Sequence, residues 1–403
     1  MHEVTYFGEI VLLVSAALSL ALLSNKLSER LRVPTAAFFL LAAALASDLW
    51  PGLGNALSIR DVERIAVVAL IVILFDGGMR VGWNRFRESA TPIVSLGLLG
   101  TFATAGLMTL AAHYLLDFSW QTAGLLGAAL APTDPAVMFS VFGRKEIGGR
   151  TGTILEGESG ANDPVGIALM LAAVSLAGSD STSVAHAIGE FVLELGVGVV
   201  VGVVGAYVLV LALRRVVLPD PALYPLRTLA FAGAIYGVAT VAHGSGFLAV
   251  YVAGILVGDS EIPAKRTIER FNTSLASLAE IVVFVALGLT IDLTELGANH
   301  RWLDGLVLAV VLALIARPLA VGPLLIPARL SGGERLFVMW SGLKGAVPIL
   351  LASFAVLGGV DDANRIYGIV FVVVAFSVVL QGASIPYVAA RLGIPMEPRS
   401  APS

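Results

Sequence analysis

Hydrophobic runs long enough to cross a bilayer recur along nearly the whole of this 403-residue chain. Spanning hydrocarbon takes roughly 20 apolar residues in a helix. Thirteen such spans can be laid on the sequence, over residues 7–24, 34–50, 62–79, 90–115, 121–142, 152–177, 183–213, 226–243, 246–258, 272–291, 303–326, 336–357 and 364–389. In lipid each backbone polar group must find its partner within the protein, so spans of this length are helices. Composition agrees: 57% of residues are hydrophobic and 13% are charged, about half the usual charged share of roughly 25% in soluble domains. The expected class is an all-α polytopic membrane protein, which excludes a soluble enzyme or a nucleic-acid-binding module.

The basic residues support the span count. With the N-terminus outside, the inward-facing loops carry Lys26/Arg30/Arg32, Arg80/Arg85/Arg87, Arg144/Lys145/Arg150, Arg214/Arg215/Arg227, Lys265/Arg266/Arg270 and Arg329/Arg335, and the tail adds Arg391 and Arg399. The opposite loops hold Arg60, Arg64, Arg301 and Arg365. Lys and Arg mark the cytoplasmic side, so the expectation is N-terminus out and C-terminus in, at a cell membrane. Met1-His2-Glu3 is not a basic leader, and the first run reads as a span rather than a cleaved signal. Residues 1–391 read as one integral domain and the Pro-rich 392–403 as a short disordered cytoplasmic tail. Cysteine is absent, which excludes disulfides and thiol chemistry.

Two spans carry helix breakers at their centres. Span five has Pro132 and Pro135 around Thr133-Asp134; span twelve has Gly342, Gly345 and Pro348 around Lys344. Proline removes a backbone donor and glycine weakens a helix. Backbone groups freed at membrane depth are tolerated where they are buried in protein or line a cavity. A pair of interrupted helices in corresponding halves is the sequence mark of a transporter built from inverted repeats. The two are seven spans apart, an odd number, so equivalent helices run in opposite directions.

The ionisable residues inside spans are functional candidates by default, because a charge in hydrocarbon is costly. Asp163 lies 13 residues beyond Arg150, about 20 Å along a helix and near mid-bilayer. Ser159 is one turn earlier on the same face, and Pro164 leaves a carbonyl without its donor. Asp134 is similarly deep, beside a Thr133 carbonyl expected to be free. Hard alkali cations take such oxygens, and adjacent acids of this kind suggest a site where a cation and a proton compete. Asp76 is shallower, four residues from Arg80, and suits either that site or an interfacial ion pair. Arg317 is the deep cation of span eleven and needs a carboxylate partner; Glu158 is the candidate, with Asn162, its i,i+4 neighbour, able to bridge. Lys344 is placed to compensate helix-end carbonyls or acids of span five, and Glu280 of span ten is a possible further partner. Glu156, Glu190 and Glu194 read as interfacial. Gly157-Glu158-Ser159-Gly160 together with His243 imitates an intramembrane serine protease, but Ser159 is embedded among acids and His243 lacks a glycine-spaced helix around it.

Taken in order, Phe75-Asp76-Gly77-Gly78, Thr133-Asp134-Pro135, Leu155-Glu156-Gly157-Glu158-Ser159 with Asn162-Asp163, Ala316-Arg317 and Gly342-Leu343-Lys344-Gly345 resemble the NhaP-type branch of the monovalent cation:proton antiporters, over nearly the whole chain. The resemblance implies a homodimer of thirteen-helix protomers, each with a dimerisation domain and a six-helix core holding the two crossed, unwound helices. It implies that Asp163, Ser159, Asp134, the Thr133 carbonyl and the acid at 76 surround the ion, and that Glu158, Asn162 and Arg317 form the structural polar pair. Asn162 ahead of Asp163 is the pattern associated with electroneutral exchange. Two departures stand out: Asp76 where Glu is commoner, and Lys344 where Arg is usual. The implied activity is secondary antiport of Na+ or K+ against H+ by alternating access, without catalysis or cofactor. The rivals are a cation channel, a sodium-coupled symporter and, remotely, the Ser159/His243 protease.

Overall fold

A computed structural model describes residues 34–54, 57–140, 142, 145–178, 184–298 and 301–398. The first expected span, its loop residues Lys26, Arg30 and Arg32, and Arg144 and Arg399 lie outside the described residues. Each later span is helical. Six helices are long and apolar enough to cross a membrane by length and composition: Ala90–Leu116, Gly149–Ala177, Ala185–Arg215, Lys265–Leu289, Arg301–Val321 and Ala363–Leu392, which are spans four, six, seven, ten, eleven and thirteen. Spans two, eight and nine are Thr35–Leu49, Leu223–Val241 and Gly246–Gly258.

Span three shows how local chemistry sets a boundary. It runs Ile59–Val81, opened by a capping box in which Ser58 accepts from the Asp61 amide and Asp61 accepts from the Ser58 amide. Its last turn ends at Gly82, whose φ of 66° suits a residue without a Cβ. Downstream, span three lies hard against span nine: a Cβ on Gly254 would come 2.5 Å from the Phe75 carbonyl and 3.1 Å from Gly78 Cα. Glycine at 254 is therefore what permits the two backbones to touch, as small residues do at membrane helix interfaces. Spans three, seven, eight, nine and ten share a buried cluster that includes Phe75, Leu209, Ile235, Val250 and Ile268.

The irregular helices are spans four, five, eleven, twelve and thirteen, which pack around span six in the larger buried cluster. Span five is two pieces, Trp120–Leu130 and Pro135–Ser140, and span twelve is Gly332–Trp340 and Ala346–Leu357. Pro164 sits inside the unbroken helix of span six. Spans four, eleven and thirteen each contain a π-helical turn, at Ser95–Gly100, Leu312–Ala316 and Ser377–Gln381. Such turns are rare and often mark functional positions. The turn in span eleven ends at the residue before Arg317.

The tail departs from expectation. Residues 392–403 are read above as disordered, yet Met396–Pro398 (β2) pairs antiparallel with Lys145–Ile147 (β1), the segment just before span six. The Gly148 amide donates to the Pro395 carbonyl at 3.0 Å, and Ile394 is buried. The span-thirteen helix stops at Gly393 with φ 65°, which turns the chain back toward that strand. Proline did not prevent pairing, because Pro395 enters as an acceptor and Pro398 closes a three-residue strand.

Candidate functional site

The two breaks meet. In span five the gap is residues 131–134, and in span twelve it is residues 341–345. The Asp134 amide donates to the Leu343 carbonyl at 2.8 Å, so each gap supplies a backbone partner the other lacks. Lys344 is 1% exposed, and its Nζ donates to the carbonyls of Ala131 at 2.9 Å and Pro132 at 2.7 Å. A cation there caps the negative end of the first half of span five. Gly345 lies against the Asp134 side chain so closely that a Cβ would occupy the carboxylate's place.

Span six supplies the facing side chains. Asn162 Oδ1 accepts from the Thr133 amide at 3.2 Å, and its Nδ2 donates to Thr133 Oγ1 at 2.7 Å. The Ser159 hydroxyl donates to the Thr133 carbonyl. Two expectations are corrected here. Asn162 does not bridge Glu158 to Arg317; its amide clamps the unwound residue of span five. The Thr133 carbonyl is not free but holds Ser159, and both oxygens are thereby gathered at the break.

Asp163 is 7% exposed, and its Oδ1 has no hydrogen-bond partner among the described residues. Its electrostatic neighbours are Asp134 and Lys344. Buried polar atoms are nearly always satisfied, so an orphaned carboxylate oxygen beside a second acid calls for a proton or a cation. Asp134 is also an electrostatic neighbour of Glu280 on span ten, as is Arg80. The Lys344 ammonium is bound to carbonyls of span five rather than to Glu280.

Arg317 and Glu158 form a bidentate pair, Nη1 to Oε1 at 2.6 Å and Nη2 to Oε2 at 3.0 Å, with both side chains buried. The fork geometry is the strong form of this interaction. Pairing Glu158 with Arg317 leaves Asp163, five residues on, as an acid of span six with no ion pair among the described residues. Asp76 is engaged elsewhere: Oδ2 meets Arg80 at 2.6 Å and Oδ1 accepts from Thr273 at 2.9 Å. Both oxygens are held within spans three and ten, which is the ion-pair arrangement that the sequence leaves open for Asp76 beside a place in the ion site. The protease constellation is also absent in form. Ser159 is committed to Thr133, while His243 is exposed in the turn between spans eight and nine.

A cavity of about 410 Å3 lies where span six meets the arginine-bearing loops, lined by Arg85, Glu88, Phe139, Arg150, Glu156 and Glu397 among others. Glu156 faces Arg85 across it at 3.5 Å. Farther in, the buried Tyr251 of span nine donates to the Gly157 carbonyl at 3.3 Å, and its ring lies against Gly160.

Three residues of the site are missing from the sequence reading: Tyr251, Ser377 and Gln381. Ser377 and Gln381 are buried on the π-turn of span thirteen and grip the second break. A signal existed, since an amide one turn after a hydroxyl is unusual in an apolar span.

The comparisons with known proteins accord with this geometry. The pattern that defines the transmembrane region of the sodium/hydrogen exchangers matches residues 14–391. The K(+)/H(+) antiporter NhaP of Alkalimonas amylolytica is 36% identical over 397 residues, covering 97% of this chain and 68% of that protein. The Na(+)/H(+) antiporter NhaH of Halobacillus aidingensis is 29% identical over 422 residues, covering 98% and 99%. The solved structure of the sodium proton antiporter MjNhaP1 from Methanocaldococcus jannaschii superposes with a TM-score of 0.80 over 96% of this chain and 99% of that one, at 24% identity, and shares its fold. With a match across nearly all of its spans, this chain is a multi-pass membrane protein that belongs to the sodium/hydrogen exchanger family.

Proposed function

We propose that the chain exchanges a monovalent cation, Na+ or K+, for protons, with Asp163 as the group that binds one or the other. The observation that carries this reading is the unpartnered Oδ1 of a buried Asp163 next to Asp134, at the crossing of two broken helices. Asp134, Ser159 and the Thr133 carbonyl supply the remaining oxygens. When a cation binds the Thr133 carbonyl, the Ser159 hydroxyl gives up that hydrogen bond, keeps its proton and offers the cation its oxygen.

Coupling follows from the single site. A bare carboxylate crossing a dry region costs several kcal/mol, so the core moves when Asp163 holds a proton or a cation and stalls when it holds neither. Lys344 and the Arg317–Glu158 pair stay fixed through the cycle, Lys344 compensating helix ends and Arg317 a single acid. One cation then replaces one proton, and the exchange is electroneutral. Spans four to six and eleven to thirteen move as the core against spans three and seven to ten, the alternating-access movement of inverted-repeat transporters. The protomer works as a homodimer in a cell membrane, with the arginine-rich loops and the 410 Å3 cavity on the cytoplasmic side.

The test is a proteoliposome carrying a pH-sensitive dye, given Na+, K+ or Li+ in turn with the potential clamped by an ionophore. Cation-driven proton movement at zero potential, unchanged in rate when the potential is varied, is the expected result. A conductive cation flux without proton movement assigns a channel and ends the exchange reading.

A further inference from the structure

Among the charged groups of this site, Lys344 is the one that could do harm. Its ammonium has three ionised or ionisable neighbours, Glu158 and Asp163 on span six and Arg317 on span eleven, and the Asp134 side chain lies against Gly345, the next residue. Bound to the Ala131 and Pro132 carbonyls it caps a half-helix. Swung toward Asp163 or Asp134 it would fill the place of the transported cation. A flexible four-carbon stem allows either position, so something must hold the backbone that carries it.

Span thirteen does this with two neutral side chains. The Lys344 amide donates to Ser377 Oγ at 2.9 Å; the Ser377 hydroxyl donates to Gln381 Oε1 at 3.0 Å; Gln381 Nε2 donates to the Trp340 carbonyl at 2.6 Å. Trp340 is the last residue of the first half of span twelve, and Lys344 lies just before the second half begins. One two-residue chain thus satisfies an orphan carbonyl and an orphan amide on both sides of the gap. The Trp340 indole donates to Ser384 Oγ at 2.8 Å, fixing the same element to span thirteen a second time. The π-turn at Ser377–Gln381 carries both of these residues to the gap.

We infer that Ser377 and Gln381 are positioning residues for cation exchange: by fixing the backbone of the second break, they keep the Lys344 ammonium on the carbonyls of span five and off the acids that take the cation. The inference rests on the exchange reading for its transport consequence, and on geometry alone for its binding consequence. A lysine that reaches the acids is an intramolecular competitor. It raises the cation concentration needed for half-maximal rate and leaves the maximal rate at saturating cation nearly unchanged. A general loss of packing does the opposite, lowering the maximal rate through a smaller folded fraction.

The experiment compares Ser377→Ala, Ser377→Thr and Gln381→Leu with the unmodified protein. In proteoliposomes, Ser377→Ala and Gln381→Leu are expected to raise the KM for the cation about fivefold, the effect of losing one net hydrogen bond, with maximal rate within about twofold. Ser377→Thr, which keeps the hydroxyl, restores the KM. A reduced maximal rate at unchanged KM in Ser377→Ala overturns the inference, as does failure of the threonine to rescue. Should Gln381→Leu not accumulate, the serine pair decides alone. If the unmodified protein shows no cation-driven proton movement, the exchange reading fails. The inference is then decided by cation-dependent thermal stabilisation in detergent, where Ser377→Ala must need about fivefold more Na+ or K+ for half the effect; an equal requirement overturns it.

Discussion

The Asp134 amide donates to the Leu343 carbonyl at 2.8 Å, joining the two interrupted spans backbone to backbone at their breaks. Unwound segments are costly in a membrane unless each freed group finds a partner. Here one pair of partners is mutual, and Asn162, Ser159, Lys344, Ser377 and Gln381 bind further groups of the two gaps. An orphaned acid beside so many satisfied groups is the feature that marks Asp163.

Gly345 is where the crossing has no room. A Cβ at this position would occupy the space of the Asp134 carboxyl. Gly345→Ala is expected to reduce exchange about five- to 160-fold, the equivalent of the roughly 1–3 kcal/mol that overpacking costs, while the protein still reaches the membrane. Proton flux at matched protein density is the measurement, and near-normal flux would mean the crossing is looser than described.

Removing one partner of the Arg317–Glu158 pair leaves a buried charge alone, which costs about 3–5 kcal/mol. Arg317→Ala should therefore lower the detergent unfolding temperature more than Asp163→Asn does, because the latter removes a charge that has no hydrogen-bonded partner at Oδ1. Equal shifts would place the structural role elsewhere.

Asp76 holds Arg80 and Thr273 with its two oxygens. Asp76→Asn is expected to leave exchange within about fivefold of normal and to act mainly on stability, the loss being that of a half-exposed ion pair of roughly 1 kcal/mol. Abolished exchange with unchanged unfolding temperature would return Asp76 to the ion site.

Competition at one carboxylate fixes the sign of the pH dependence. Where protons occupy most sites, each unit of rising pH removes a competitor, and the cation KM should fall by up to about tenfold per unit before levelling off. Initial rates across a cation series at several pH values check this. A KM independent of pH throughout would separate the two sites.

Much of this architecture can be read from the chain. Thirteen apolar runs, the side on which arginines fall and the breakers Pro132, Pro135, Gly342 and Gly345 are local properties, and local properties survive in one dimension. The pairing of Arg317 with Glu158 was legible because a buried guanidinium demands an acid. What Asn162 binds was not, since its partner Thr133 lies 29 residues away and an amide suits either candidate. Tyr251 was missed because its hydroxyl meets a carbonyl on another span, and aromatic residues in apolar helices are ordinary. The tail strand was missed because Pro395 and Pro398 signal disorder unless a partner strand is known.

Asp163 is the group that carries the exchanged proton or cation, and Asp163→Asn in proteoliposomes puts this to the test. The amide keeps the shape and cannot titrate, so the variant is expected to fold and to show cation-driven proton movement at background across the whole pH range. Sustained, pH-dependent exchange by that variant would contradict it.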